Sequence, residues 1–588
     1  NKIDHLQSQL DTLISRSVIK NTGTIKAKDS LVVVAKSILN GDTDLSSIYK
    51  NSAQASMTGG AVDLNALKSI SNTGGLIKGS NSVKLKAKYG DIKNKVIVNR
   101  ETRDRHNWSD RVVANAGIES GGSLDIDAGR DFVNKGASLK ADGNASVKAG
   151  RDVNIEAVKL ESASKVEKTE RYGWFGTDQK TDSKTTRSTT YQGSDIQIGG
   201  DLVVSAGNDI SIRGSKVEGQ GDGTFIAGGD MTVTSVEESH SITGKHSHSE
   251  LFSSQEKSDT RTTTTQKASQ LSFANKMSAT AQGALVVNGS DLSSGGDMSL
   301  GGKEGVLITS AKERVTTDKK DDTGYWFKNH HRSNKGDKQT NRKTSIKSGG
   351  KMAIVTEGDM AVVGSDLDSQ SDMTLYAEGD MAIMAAYDTN QTKDVEEDRD
   401  FSGFSITLDR EGLGFNKFEE GRGKERETSK VDVVATTLKS NGKVSVTGKK
   451  YLNMFGTDVE AENDINLKTD GNMDILTAQE LDQEIEKEKR MRNTTSVVIG
   501  NSWVETALDA VDAIQSVGDA LSQGESSDAD KINKGVKITK GAIALAKTAK
   551  TIKNVAKSAE TAATFGFYAS VKSKQDEEVK TKSSTTKR

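Results

Sequence analysis

Apolar and polar residues alternate strictly along short stretches of this chain, and the stretches return at fixed distances. In SLDIDAGRDFVNKGASLKADGNASVKAGRDVNI, residues 123–155, strand-like segments open at Ser123, Asp131, Asn144 and Asp152, at offsets 0, 8, 21 and 29. The same ladder reads Asp201, Asp209, Asp222, Asp230, then Lys276, Ala284, Asp297, Gly305, then Lys351, Asp359, Asp372, Asp380. A looser copy passes Lys443, Tyr451, Asp464 and Asn472. Chemistry repeats with spacing. One residue past the first landmark stand Leu124, Leu202, Met277, Met352 and Val444, and the last strand of each copy ends on Ile155, Val233, Ile308, Ile383 and Ile475. Period two with one apolar face predicts strands. Offset 21 repeats offset 0 and offset 29 repeats offset 8, so the unit is a 21-residue strand-turn-strand coil used twice per module. One such coil buries too little to fold, since each buried aliphatic side chain contributes roughly 1.5–3 kcal/mol against about 1–2 kcal/mol of ordering entropy per residue. Stacked coils, piling equivalent Leu, Ile, Val and Met side chains into ladders, predict a parallel β-solenoid.

Between modules the periodicity breaks. The intervals 160–197, 236–273, 310–347 and 386–440 share a charged Thr/Ser/Lys/Glu arm, an aromatic knot and a Thr-rich return arm such as SKTTRSTT at 183–190. The knots hold Tyr172, Trp174 and Phe175; Leu251 and Phe252; Tyr325, Trp326 and Phe327; Phe401 and Phe404. β-Branched Thr favours strand, so the arms predict long antiparallel hairpins projecting from one edge of the solenoid, weakly tethered because both faces are polar. A fifth excursion differs. Val504, Leu508, Val511, Ile514, Val517 and Leu521 step by three and four, predicting a helix, and Ile543, Ile552 and Val555 mark a second. FGFYASVKSKQDEEVKTKSSTT then repeats the grammar of RYGWFGTDQKTDSKTTRSTT, so a helical pair is inserted in a hairpin tip and the chain ends on the return arm. Upstream, Leu6, Leu10, Leu13 and Ile14 are weakly amphipathic; from Val18 short strands begin, with Asn21 to Asn40 and Asn72 to Asn94 at coil spacing. Stretches 42–66 and 96–118 read as surface excursions. Starting at Asn1 without a signal peptide and stopping inside a pattern, the sequence reads as a piece of a longer protein.

Composition sharpens this. Of 588 residues 33% are hydrophobic and 4% aromatic, thin for globular cores but enough for a fold in which each rung seals only its neighbours. Glycines such as Gly122, Gly200, Gly350 and Gly442 precede landmarks, where they are expected to take the positive φ of tight corners. Proline is absent, as suits strands paired on both sides. Cysteine is absent too, which rules out disulfides and thiolate metal sites and suits export of an unfolded chain into an oxidising compartment. With 81 basic and 83 acidic residues interspersed, a nucleic-acid groove is excluded. No run of 18 apolar residues offers a spanning helix.

The AGRDV, GNDI and GGDM corners at this period, interrupted by YGWF-type hairpins with KTTRSTT arms, resemble the haemagglutinin repeats of filamentous-haemagglutinin-like two-partner-secretion exoproteins. Among these the pattern looks most like the second repeat region of contact-dependent growth inhibition effectors. The resemblance implies an all-β, right-handed parallel β-helix of about 21 residues per coil, with projecting antiparallel hairpins and a small C-terminal helical insertion. It implies haemagglutinin-type coils over 1–120, modules over 121–476 (121–158, 199–235, 274–309, 348–385 and 441–476), and a last excursion over 477–588 with the insertion at 503–564. It further implies a secreted, surface-held filament that adheres to cells and delivers a C-terminal toxin. Its partners would be an outer-membrane transporter during export and the target-cell surface or outer membrane; nucleic acid and small-molecule substrates are not expected. Neither the family's secretion domain nor its toxin has a counterpart in these residues.

Candidate chemistry is sparse. Gly-Asp corners could suggest calcium, but a period of 21 and landmarks varying among Asp, Asn, Lys, Ser, Ala and Gly favour turn chemistry. His246 with His248, and His330 with His331, lack a ligand partner at fixed spacing and read as solvated hairpin residues. GQGDG at 219–223 lacks the helix and lysine of a nucleotide loop. No cofactor is implied. The candidate contact residues are the knot aromatics Tyr172, Trp174, Phe175, Phe252, Tyr325, Trp326, Phe327 and Phe404, which either insert at a membrane interface or, the favoured reading, pack on the neighbouring knot, since excursions recur 75–78 residues apart. Function follows as a structural and binding stalk, not an enzyme. The rival class, a β-helical glycan-binding or polysaccharide-degrading protein, would break its repeat once to gather catalytic groups, whereas here decoration recurs in every module. Fifteen or so coils at about 4.8 Å each give a rod near 70 Å.

Overall fold

A computed structural model describes residues 17–41, 54–173, 178–325, 328–409, 412–491 and 578–587, with side chains except at 400–420, 489–491, 578–581 and 585–587. These residues form two β-sheets. One is a parallel solenoid of 36 strands and the other an antiparallel sheet of 12. The predicted helical insertion at 503–564 and the amphipathic start at Leu6–Ile14 lie outside the described residues.

The predicted stacking holds at the residues on which it rests. Ile155, Val233, Ile308 and Ile383 are at most 1% exposed. Bare coils repeat in register at the predicted coil length, as in Leu124↔Ala145, Leu202↔Gly223, Met277↔Met298 and Met352↔Met373. One interior ladder runs through fourteen rungs: Asn21, Asn40, Asn72, Asn94, Asn134, Ile155, Ile212, Val233, Val287, Ile308, Val362, Ile383, Met454 and Ile475. Thirteen spacings at about 4.8 Å make a rod of about 60 Å. At the last described rung Ile475 is 60% exposed.

Each coil has three strands where the landmarks predict two. Ser123–Ala128 and Phe132–Lys135 are followed by Ser138–Ala141, whose counterparts include Asp195–Ile198, Lys216–Gly219 and Asp291–Ser294. The third strand usually offers one large apolar residue, such as Leu139, Val217, Leu292 or Leu367, among small and polar ones, and two in Asp195–Ile198 and Gln270–Phe273, too irregular for a recurring period-two signal. Of the stretches expected to leave the rod, one differs. Ser56–Thr73 is a solenoid strand, pairing Ala61–Ala66 with Ser30–Ala35, whereas residues 97–114 do leave the rod as expected, as an antiparallel hairpin.

Polar ladders supplement the apolar ones. Buried Asn21, Asn40, Asn72 and Asn94 each donate Nδ2 to the Oδ1 of the next rung at 2.7–2.8 Å, and Asn134 ends the ladder by donating to the Ala137 carbonyl at 2.9 Å, so each amide satisfies its neighbour inside the rod. At the corners the landmark carboxylates do the same for the backbone. Asp201 Oδ1 accepts the Asp222 amide at 2.8 Å, Asp209 that of Asp230 at 2.8 Å and Asp359 that of Asp380 at 2.8 Å. In the AGRD corners Arg151 forks onto Asp131 at 2.7 and 2.5 Å. The landmark glycines are therefore needed for a different reason from the one expected. None of Gly122, Gly200, Gly350 and Gly442 has positive φ. A Cβ there would instead strike the coil beneath: the Asn81 carbonyl, Asn144 Oδ1, Asp297 Oδ1 and Asp372 Oδ1 respectively. Packing compensates where a rung loses volume, as at Gly219 and Gly223, whose missing side chains are replaced by Phe273, edge-on to Phe225 at 5.8 Å.

Asn72→Ala should cost about 1–3 kcal/mol by leaving Asn94 Oδ1 without its donor inside the rod. Denaturant midpoints read the loss. Amide exchange should quicken in 30–40 and 92–95 and stay unchanged in 444–476, because coils couple to near neighbours; uniform quickening or no change refutes the ladder's role.

Candidate interaction surface

Among the described residues six strand pairs leave the rod at one corner, after the second strand of alternate coils. They are Ile97–Asp104 with Asn107–Ala114, Val158–Tyr172 with Asp178–Gln192, Val236–Ser249 with Ser253–Lys267, Ala311–Tyr325 with Lys328–Arg342, Ala386–Asp409 with Gly412–Val434, and Leu481–Met491 with Glu578–Lys587. Positive-φ glycines seat them. Gly364, at φ +52° in a bare coil, lies beneath the root of the next coil's hairpin, and a Cβ there would come 2.6 Å from Ala386 Cβ. Gly74, Gly136, Gly214, Gly289 and Gly456 stand in the same relation to Ile97, Val158, Val236, Ala311 and Ala478.

The hairpins are not weakly tethered as their polar faces predict. They pair edge to edge, for example Gln179–Thr189 with Ser239–Ser249 and Ser253–Thr264 with Arg314–Tyr325, making one continuous antiparallel sheet. Side chains fix its register. One row crosses nine strands as Lys168, Asp182, His246, Lys257, Asp321, Arg332, Glu396, Lys424 and Glu488, with acid and base facing at all but one step. Within it His246 Nδ1 meets Asp182 at 2.5 Å and Lys257 meets Asp321 at 2.9 Å. Threonines pair hydroxyl to hydroxyl, Thr260 to Thr243 at 3.2 Å and Thr392 to Thr428 at 2.6 Å. The histidines expected to be solvated remain partly exposed on the hairpins and are also bonded: His246 to Asp182, His330 to Asp398 at 2.6 Å, and His331 to Asp322. Among the described residues no three His, Cys, Asp or Glu side chains converge as a metal site.

Of the predicted contact residues, Tyr172 packs on the neighbouring hairpin. Its hydroxyl lies 2.7 Å from His248 Nε2 and the rings meet edge-on at 5.9 Å, across 76 residues of chain. His248 was not foreseen, although the recurrence of the excursions already set it beside Tyr172. Phe252 and Tyr325 are each 60% exposed at adjacent tips, with Ser253 next to Phe252 opposite Tyr325. Phe404 lies on a strand with its backbone opposite Lys417. Trp174, Phe175, Trp326 and Phe327 lie outside the described residues. Between rod and tips, a groove of about 820 Å³ opens where Gly244 lacks a side chain, lined by Lys168, Lys184, Lys257, Lys319 and Arg332 among other residues, including Asp182, Asp259 and Asp321.

One carboxylate inside the sheet is strongly perturbed. Burial opposes ionisation of Glu425, but hydrogen bonding from Lys393, at 2.6 Å, and the charge of Lys487, at 3.6 Å, outweigh it and hold its pKa at about 2. Asp380 moves the other way, raised by burial and by the charge of Asp359 one coil away.

A model of the hemagglutinin repeat matches at residues 175–255, 251–326, 327–480 and 417–586. A tRNA nuclease CdiA from Escherichia coli (strain STEC_O31) is 24% identical over 471 residues, which cover 78% of this chain and 13% of that protein. No solved structure matches the chain.

Two outcomes follow. Gly364→Ala should destabilise by about 1–2 kcal/mol for the left-handed backbone alone, with amide protection lost first in the hairpin rooted at Ala386; unaltered protection there contradicts the seating role. Glu425, with its folded pKa below the ordinary 4.5, adds stability that is complete above pH 4.5 and drains away as pH falls toward about 2. Protection factors of amides 421–431, corrected for intrinsic exchange, should fall across that window, and in Glu425→Gln should be low and flat. Asp380, raised, contributes in the opposite sense, fully below the ordinary carboxylate range and less as pH rises.

Proposed function

The chain belongs to the hemagglutinin-repeat family, and from that premise we propose that it is a structural and binding segment of a large secreted bacterial exoprotein. It acts as a filamentous stalk in cell adhesion and takes part in contact-dependent delivery of a C-terminal toxin. The observation that carries the stalk is the unbroken interior ladder from Asn21 to Ile475, which makes reach proportional to repeat number. Delivery draws support from the likeness to a protein named a tRNA nuclease, of which this chain spans 13%. In this reading the chain passes an outer-membrane transporter unfolded, for which the lack of proline and cysteine suits it, and then stands on the cell surface.

The tips make the contact with the target-cell surface. Phe252 and Tyr325 present apolar rings at the ends of polar arms, the arrangement that suits a membrane interface. A second reading, glycan binding without cleavage, draws on the groove beside Gly244 with its excess of Lys and Arg.

The test is binding of the purified chain to whole Gram-negative cells and to liposomes by flotation. Phe252→Ser with Tyr325→Ser, and separately Trp174→Ser with Trp326→Ser, should each lower bound protein about tenfold. Unchanged binding removes the tips from the contact. Binding to cells that is lost on stripping surface polysaccharide but indifferent to the tips favours the groove, and release of sugar fragments would overturn the non-catalytic reading.

A further inference from the structure

The first strand of each coil turns two side chains outward, and their chemistry changes along the rod. In the early coils every outward pair includes a charge: Asp63 with Asn65, Lys84 with Lys86, Asp125 with Asp127, Ser146 with Lys148. From the next rung the charges stop. Over seven consecutive rungs, from Val203 with Ser205 to Ser445 with Thr447, every outward residue is Ser, Thr, Val, Ile, Ala, Gly or Tyr. Charge returns one rung later, at Lys468 beside Thr447. The chain is 28% charged, and third strands of the same coils carry Asp195, Lys216, Asp291, Lys347, Asp366 and Lys439 outward, so the bare rungs stand apart from the rest of the rod. They are open to solvent. Val203, Ile226 and Val355 are 41%, 47% and 44% exposed, and Thr280, Ser299 and Thr374 are exposed among them. Charges stand instead at the edges of the face, as Asp222, Lys276 and Asp297 just before the strands and Glu378 and Lys449 just after, the last two paired at 3.2 Å.

An uncharged centre inside a charged rim is the anatomy of a protein interface. A charged partner would lose solvation here and gain no counter-charge, so the occupant is neutral over the same area. A second copy of this face meets that condition and one more. Its side chains recur at the same strand spacing of about 4.8 Å, so two faces laid together keep step from the first rung to the last, as paired sheets do in dry, interdigitated stacks. Any other neutral polymer has to match that spacing by chance. Serine and threonine hydroxyls both donate and accept, so facing copies can satisfy one another. The area sets the strength. Seven rungs take up about 34 Å of rod and a five-residue strand about 17 Å across it, which gives two copies a footprint of roughly 1,100 Å² in total, near the lower bound for a specific interface. Such pairing is reversible for one pair of rods and strengthens with every uncharged rung added. We propose that the uncharged first-strand face from Val203 to Thr447 docks a second copy of this chain, rod beside rod.

The test uses the whole chain. In sedimentation equilibrium it should exchange reversibly between monomer and dimer, with the dimer share rising with concentration. Thr280→Lys sets a charge within the face and leaves the interior alone; it should weaken association about tenfold or more by burying that charge unpaired. Gln197→Lys, outward on a third strand, should leave association as it is. Because the chain has no cysteine, crosslinking gives a second reading. Ser299→Cys, on the middle rung, should yield covalent dimers with a short bis-maleimide whichever way the two rods run, since facing sheets lie about 10 Å apart, and Gln197→Cys should not. A chain that stays monomeric at every concentration, or Thr280→Lys and Gln197→Lys chains that associate equally, overturns the proposal. Dimers abolished by Phe252→Ser with Tyr325→Ser would move association to the hairpin tips and overturn it too. So would a monomeric chain that sediments with cellulose and loses it on Thr280→Lys, which would assign the face to a neutral glycan.

Discussion

The architecture depends on one shared distance. Hydrogen-bonded strands lie about 4.8 Å apart whether parallel or antiparallel, so two coils advance the rod by about 9.6 Å and the two strands of one hairpin occupy the same width. A hairpin on alternate coils therefore meets its neighbours edge to edge with no gap and no crowding. The register steps record this alternation: a bare coil for Leu124↔Ala145, a longer step that carries a hairpin for Ala145↔Leu202, a bare coil again for Leu202↔Gly223 and a second hairpin-bearing step for Gly223↔Met277. Hairpins on every coil would need twice the width available, and hairpins on every third would leave unpaired edges, which invite association with other chains. The glycine under each hairpin root belongs to the same constraint. It sits in the bare coil, where the close approach of the next root leaves no space for a Cβ.

With spacing supplied by the rod, the hairpins need no apolar face of their own. Pairing gives each inner strand partners on both sides for its N–H and C=O groups. Exposed ion pairs are worth about 0–1 kcal/mol each, well below the roughly 1.5–3 kcal/mol of a buried aliphatic side chain. Stability therefore resides in the interior ladders, while the row from Lys168 to Glu488 favours this register at one edge, where a two-residue slip would set Lys168 against Lys180 or Lys184. The exception is Glu425 with Lys393 and Lys487, where the side chains are partly withdrawn from water and the pairing is felt as a displaced pKa.

Stacking was legible in the sequence because Ile155, Val233, Ile308 and Ile383 recur with their landmarks, and a one-residue slip would turn all of them outward. Asparagine spacing upstream marked coils for the same reason, although the mutual hydrogen bonding of Asn40, Asn72 and Asn94 is a contact between rungs that no single coil displays. Three features were hidden. The strand at Ser138–Ala141 has too few large side chains to show a period. The role of Gly200 depends on Asn144, which lies on the far side of an entire hairpin in sequence and directly beneath it in the rod. Hairpin pairing rests on strand spacing, to which composition is blind, so Thr-rich arms with two polar faces read as loose. Of the contact residues, Tyr172 was placed by the module period, whereas its partner His248 falls on an arm with no aromatic signal.

A simple solenoid is nearly one-dimensional, each coil touching only the next, so that opening can start at any rung. Here a second sheet runs along the same axis and joins alternate coils on the outside. Lifting one hairpin-bearing coil must break two rod interfaces and the two seams of its hairpin, while lifting a bare coil uncovers the glycine on which the next root sits. The smallest unit that can open cleanly is thus the pair of coils with its hairpin, as in the module that starts at Leu124 and gives way to the next at Leu202, or the one that starts at Leu202 and gives way at Met277. Added modules lengthen the rod and the sheet together and leave each module's boundary chemistry unchanged. A filament built this way resists fraying at single coils yet grows by whole modules, and a stalk needs both.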